Sequence, residues 1–156
     1  EANLFEGHSV ILTPNEESDK AALDKVSKFW SLMGSKISLM SAQDHDAILA
    51  KTSHLPHLLS SVISESMYDE PDRSAALSHA AGSFRDMSRI SASDPAIWAD
   101  IFLANDIKLI ESLERFLVRL EKIKNKIASG NHSEVKRFLE RGKIVRDHFS
   151  SIKKEH

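Results

Sequence analysis

Residues 93–130, SDPAIWADIFLANDIKLIESLERFLVRLEKIKNKIASG, set the fold class. Ser93-Asp94-Pro95 is a helix start signal, a capping side chain followed by proline in the first turn. From there Ile97, Ile101, Leu109, Leu113, Phe116, Leu117, Leu120, Ile123 and Ile127 recur at helical spacing. The segment is expected to run as one helix to Ser129, with Gly130 ending it. At 1.5 Å per residue that is roughly 50 Å, longer than a domain of this size covers alone. Such a stripe is expected to pack against a second subunit.

Outward from this segment the pattern stays helical. Asn131 to Phe149 is a final helix, with Val135, Phe138, Leu139, Ile144 and Val145 placed inward. Upstream, Ser74 to about Ala81 forms a short helix stopping near Gly82, and Tyr68 to Arg73 (YDEPDR) is a polar loop. Ala42 to Ser66 reads as a helix containing Pro56. Only the beginning differs. Val10-Ile11-Leu12-Thr13 is a β-branched run stopped by Pro14, read as a buried strand. A helix capped by Ser18 and running to about Met33 follows, with Gly34 closing it, and Ser35 to Met40 reads as a second strand. The class is mainly α: a short strand–helix–strand segment over 1–40, then an all-helical domain over 41–156.

Composition narrows the function classes. The chain has 156 residues, 41% hydrophobic and 28% charged, with no cysteine, which removes disulfides, thiolate metal sites and a Cys nucleophile. No apolar run is long enough for a membrane span. Residues 1–104 carry 8 Lys/Arg against 15 Asp/Glu, and residues 105–156 carry 13 against 8. The C-terminal cations are interleaved with glutamates, so a solvated helix face is expected and no nucleic acid partner. A cytoplasmic location, with no membrane association, is expected. The chain opens at Glu1 and is read as an excised piece of a longer protein.

Two segments carry chemistry. His45-Asp46 and Ser53-His54-Leu55-Pro56-His57 place Asp46, Ser53 and His57 within about 40° on one helix face. Pro56 cannot donate its backbone hydrogen bond, so a kink is expected that frees backbone groups beside that stripe. The bland reading is a polar helix face with a network histidine. A metal site, in which His54 and His57 are joined by His8 and Asp94 or Asp100, is the basis of an alternative as a His/Asp metal-dependent hydrolase. The second segment, Gly82-Ser83-Phe84-Arg85-Asp86-Met87-Ser88-Arg89-Ile90, sets two guanidiniums one turn apart. These suit a carboxylate or phosphate ligand, or equally a structural salt-bridge network. Trp98 fits either a core or a ligand wall.

The order LFEGHSVILTP (4–14), HDAILAKTSHLPH (45–57) and GSFRDMSRISASDPAIWADIFLAN (82–105) resembles the prephenate and arogenate dehydrogenases of tyrosine biosynthesis. The resemblance implies a helical dimerisation and substrate domain of the 6-phosphogluconate dehydrogenase C-terminal-like kind, preceded by the tail of a Rossmann domain. It implies a homodimer, NAD or NADP as cofactor, and prephenate or arogenate as substrate. Ser53, His57, Gly82 and Arg89 would line the substrate cleft, Arg89 binding a substrate carboxylate and His57 also facing the nicotinamide. Asp86 and Trp98 would approach the partner's site, and Asp46 and Arg85 would form an interface ion pair. Neither the GxGxxG loop nor the HPxxG segment of that family occurs in these residues, so the chain alone is expected to be inactive. A stand-alone helical interaction or regulatory module is the other alternative.

Overall fold

In the computed structural model, residues 4–154 are described. Strand β1 (Ser9–Leu12), helix α1 (Lys20–Leu32) and strand β2 (Lys36–Leu39) open the chain. Next come α2 (Ala42–Leu49), a π-helical turn (Ala50–His54) and α3 (Leu55–Glu65). Then follow α4 (Arg73–Ser78), α5 (Gly82–Ser88), a 3₁₀ turn (Arg89–Ala92), α6 (Pro95–Ala104), α7 (Asp106–Ala128) and α8 (His132–Lys154). Two compact units are distinguishable: residues 1–41 with 114–156, and residues 42–113.

β1 and β2 pair in parallel, Ser9 opposite Lys36 and Leu12 opposite Leu39, with α1 as the crossover. α1 is capped by Asp19, whose carboxylate accepts from the Ala22 N–H. The expected cap, Ser18, is instead occupied with Asn15: its hydroxyl donates to Asn15 Oδ1 and accepts from the Asn15 N–H. The β1 residues are only half-buried, not buried as expected, because a parallel strand needs neighbours and cover on both faces. What packing exists comes from Phe5 and Phe29 meeting the Trp30 ring edge-to-face, and from buried Ser35 donating to the Phe5 carbonyl.

Gly34 closes α1 as expected, with φ of +85°. Its carbonyl accepts from Gly7 N–H, and a Cβ there would stand 3.1 Å from Glu6 Cα. An L-residue in this region costs about 1–2 kcal/mol before that crowding is counted. Gly34→Ala is therefore expected to lower the urea midpoint of the chain by an amount equivalent to about 2 kcal/mol. An unchanged midpoint would show that this turn is not part of the cooperative fold.

Ahead of Pro56 the helix widens by one residue. The Leu55 N–H donates to the Ala50 carbonyl, five residues back, and Pro56 sits in the first turn of the new helix α3. There a missing N–H costs nothing. The Thr52 hydroxyl donates to the Ile48 carbonyl at 2.9 Å, serving a backbone group in the irregular stretch.

Further expectations are corrected. α4 ends at Ser78, and Gly82 opens α5 rather than closing α4. The single helix expected over 95–129 is two: Asn105, with φ −125° and ψ 36°, breaks it between α6 and α7. Of the α6–α7 stripe only Leu109 is buried within the chain, and the residues placed inward on α8 are largely exposed. Ile97, Leu117, Leu120 and Ile127 are exposed, as are Leu139, Ile144 and Val145 of α8, which reaches Lys154 rather than ending at Phe149. The α7–α8 turn at Gly130 adopts φ +64°. Along these two helices the cations alternate with carboxylates, as in Lys136–Glu140, Lys124–Glu121 and the pair Lys126–Glu134.

Candidate functional site

The second unit buries a polar centre. Its deeply buried residues are Ala50, His54, His57, Ser60, Leu109 and Ser112, a set in which polar side chains outnumber apolar ones. Burying a polar group is costly unless it is hydrogen-bonded, and the Ser60 hydroxyl, 1% exposed, has no such partner among the described residues. Here the π turn and α3 supply His54, His57 and Ser60, and α7 supplies Leu109 and Ser112.

α6 builds one wall. Asp94 caps it, accepting from the Ala96 and Ile97 N–H groups, and Pro95 starts the helix as the sequence indicated. Trp98 then lies flat on His57, ring centroids 3.5 Å apart and planes 11° from parallel. Phe102, one turn later, meets the edge of His57, and Trp98 also meets His54 edge-on. His57 is 4% exposed. Burial lowers the pKa of its imidazole below the ordinary 6.5, so the ring is neutral at neutral pH.

His54 is held differently. Asn105, at the break between α6 and α7, places its side-chain amide 2.9 Å from the Asp46 carbonyl and 3.2 Å from His54 Nδ1. Burial lowers the pKa of His54 as well; the Asp46 charge opposes that shift and His45 adds to it. Asp46 Oδ1 in turn lies 2.9 Å from His45 Nδ1. Sequence reasoning did not single out Asn105. Its signal was a polar Asn-Asp pair inside the run IFLANDIKL.

The second segment reaches the same helix from another side. The 3₁₀ turn that begins at Arg89 contacts α3, where the Ser64 and Ser91 hydroxyls lie 2.7 Å apart. The Ser91 hydroxyl also donates to the Ser88 carbonyl, joining the turn to α5. Arg89 is exposed and has no carboxylate partner among the described residues. Arg85 pairs with its neighbour Asp86 at 3.1 Å, both well exposed, an arrangement that contributes little to stability.

The expected Asp46–Arg85 pair is thus not formed within one chain, because each group has a nearer partner. At Gly82 a Cβ would meet only Arg85 Nη2 at an ordinary 3.6 Å, so the chain's own packing does not require glycine there. Ser53 is half-buried in the π turn. Of the residues named as possible metal ligands, Asp94 caps α6 and His54 Nδ1 faces Asn105. No three His, Asp or Glu side chains gather as a metal site among the described residues.

Residues 41–141 match the dimerization domain of prephenate dehydrogenase, and residues 1–39 match its nucleotide-binding domain. The chain belongs to the prephenate dehydrogenase family. It is 41% identical over 130 residues to a cyclohexadienyl dehydrogenase of Zymomonas mobilis, covering 82% of this chain and 44% of that protein. Its fold superimposes with a TM-score of 0.88 and 33% identity on prephenate dehydrogenase from A. aeolicus, in complex with hydroxyphenyl propionate and NAD+. That match covers 94% of this chain and 52% of the other. Arogenate dehydrogenase of Synechocystis follows at a TM-score of 0.84 and 29% identity, covering 94% and 54%. The chain thus spans about half the length of these relatives. Within the family, its mainly helical architecture with a short parallel strand pair is that of the helical domain and the strand–helix–strand leading into it. No helix among the described residues is long and apolar enough to cross a membrane.

Proposed function

We propose that this chain is the substrate-holding and dimer-forming part of an NAD(P)-dependent dehydrogenase that converts prephenate or arogenate by oxidative decarboxylation in tyrosine biosynthesis. Residues 1–40 are the tail of its nucleotide-binding domain and residues 41–156 the helical domain. The observation that carries the reading is the buried, neutral His57 stacked on Trp98, beside Ser53, on a helix against which the Arg89 turn packs.

The division of labour follows from charge. Prephenate carries two carboxylates, and a carboxylate taken from water needs a fixed cation. Arg89 is exposed and has no carboxylate partner among the described residues, so its guanidinium can hold one in a forked pair. His57 and Ser53 are neutral and supply hydrogen bonds and shape rather than charge. Positioning of this kind can lower a barrier by several kcal/mol.

The reaction removes hydride from the ring carbon bearing the hydroxyl; the ketone that develops draws off the ring carboxylate as CO2, and aromatisation drives the step. When bound, NAD or NADP would supply the hydride acceptor. The β1–α1 connection present here, Thr13–Asp19, contains no glycine and carries Glu16 and Glu17, so these residues do not cradle a pyrophosphate. Of the family's cofactor contacts, the reading leaves this chain only His57 at the nicotinamide end.

The exposed apolar residues of α6–α8 support a homodimer. Leu103 is 74% exposed, Val145 68% and Ile144 66%, on the helices of a dimerization domain. The chain is expected to sediment at twice its 17.5 kDa, and Ile144→Glu to shift it toward the single-chain mass. A monomeric parent chain would remove the dimer from this reading.

The deciding experiment is NAD(P)H formation from prephenate, then arogenate, by the chain joined to its natural upstream sequence in a cytoplasmic expression host. Turnover with either names substrate and cofactor. A folded dimer, carrying its glycine-rich loop, that turns over neither would end the proposal.

A further inference from the structure

We propose that Asn105 is a positioning residue that locks His54 in the tautomer protonated on Nε2, making it a fixed hydrogen-bond donor in the turn that carries Ser53. The argument is one of hydrogen-bond valence. The Asp46 carbonyl oxygen has lone pairs and no hydrogen, so the Asn105 atom 2.9 Å from it is the amide nitrogen. That NH2 group has two hydrogens. One goes to the Asp46 carbonyl, and the other meets His54 Nδ1 at 3.2 Å. Nδ1 must then present a lone pair, and a neutral imidazole with a lone pair on Nδ1 carries its proton on Nε2.

The opposite tautomer would require the Asn105 amide to turn over. Its oxygen would then face the Asp46 carbonyl oxygen, two acceptors at hydrogen-bonding distance with no proton between them. Inside a buried site such an unpaired contact is expensive. Protonating both ring nitrogens meets the same obstacle. Among the described residues His54 Nδ1 makes its hydrogen bond with Asn105, while Asp46 Oδ1 is taken by His45 Nδ1.

Two backbone irregularities make this possible. The break between α6 and α7 falls at Asn105, and its side chain reaches across 59 residues of sequence to Asp46, just before the π turn that carries His54. A helix continuing through residue 105 would need a conformation that Asn105 does not adopt. His54, so held, can donate at Nε2 but accepts no proton at Nδ1. It is therefore neither the base of the reaction nor a metal ligand through that atom. Its relevance to substrate rests on the site proposed above, whereas the tautomer does not.

The test uses the full chain labelled with 15N in histidine, with His54→Gln identifying the resonance. Long-range proton–nitrogen correlation is expected to show His54 Nδ1 as an unprotonated ring nitrogen and Nε2 as a protonated one. Asn105→Asp, nearly isosteric, presents a carboxylate to Nδ1 and is expected to move the proton there or hold the ring doubly protonated. Asn105→Ala is expected to give exchange between both tautomers; if it does not fold, the Asp variant decides alone. A wild-type proton on Nδ1, or an Asp variant with an unchanged His54 pattern, would overturn the assignment. In the whole enzyme, Asn105→Asp is expected to lower kcat/KM by about tenfold or more with the dimer mass unchanged. Unaltered kcat/KM beside a switched tautomer would refute the positioning role. An inactive wild-type enzyme that keeps the tautomer would sink the proposed reaction instead.

Discussion

Arg89→Ala, in the enzyme that contains this chain, is expected to raise KM for prephenate about 30- to 150-fold while kcat changes only a few-fold. That range corresponds to about 2–3 kcal/mol, the usual worth of a hydrogen-bonded charge pair between guanidinium and carboxylate. The asymmetry between the two constants follows from where the charge sits. A carboxylate that Arg89 holds is equally charged in ground state and transition state, so its removal weakens both alike, the signature of uniform binding. The side chain has no carboxylate of its own to release, so the variant should fold normally. The Ser64–Ser91 contact that ties its turn to α3 remains in place. Steady-state kinetics over a wide substrate range measures the split. An unchanged KM would remove Arg89 from the site, and a kcat loss matching the whole effect would assign it to the transition state.

Trp98→Ala is expected to have the largest effect on stability. The indole is stacked on His57 and also packs against Phe102 and His54, so its removal opens the wall of the polar centre. Large aromatic-to-alanine changes in full cores cost about 3–5 kcal/mol; for a half-buried indole about 2–3 kcal/mol is expected. In a chain of this size that corresponds to a melting temperature lower by roughly 5–10 °C.

The same substitution changes how stability depends on pH. Burial lowers the pKa of His54 and His57 below 6.5, so between the unfolded and folded values the unfolded chain binds more protons. Stability therefore falls as pH drops below about 6.5, and the loss is complete once pH is below the folded values. Trp98→Ala exposes His57 to water and removes most of its share. Urea midpoints at pH 8 and pH 5 should differ more for the parent chain than for the variant. Equal differences would show that the indole is not what keeps His57 dry.

Several element boundaries were legible because their signals are local. A capping Asp before proline fixes the start of α6 wherever the chain goes afterwards, and Gly34 and Gly130 occupy positions where only a left-handed backbone ends a helix. Ser53 and His57 are one helical turn apart, so spacing put them on one face, whereas the grouping of Gly82 and Arg89 with them rested on the family resemblance. The break at Asn105 was not legible, because an Asn-Asp pair costs a helix too little to end one by propensity. The nature of the disruption at Pro56 was similarly hidden. Proline dictates that something must yield, but a kink and a widened turn satisfy that requirement equally.

The inward or outward sense of the stripes on α7 and α8 is a further case. Helical periodicity identifies an apolar face, and nothing in the period says which molecule covers it. What the sequence determined by itself was therefore the mainly helical class, the strand–helix–strand opening, the start of α6, the glycine-ended turns and the family, each encoded over a few consecutive residues. The tertiary structure decided which polar side chains meet. Asn105 reaches Asp46 and His54 across more than fifty positions, and Trp98 comes to lie on His57 across forty-one. Contacts at that separation depend on how helices pack, which no short window of residues encodes.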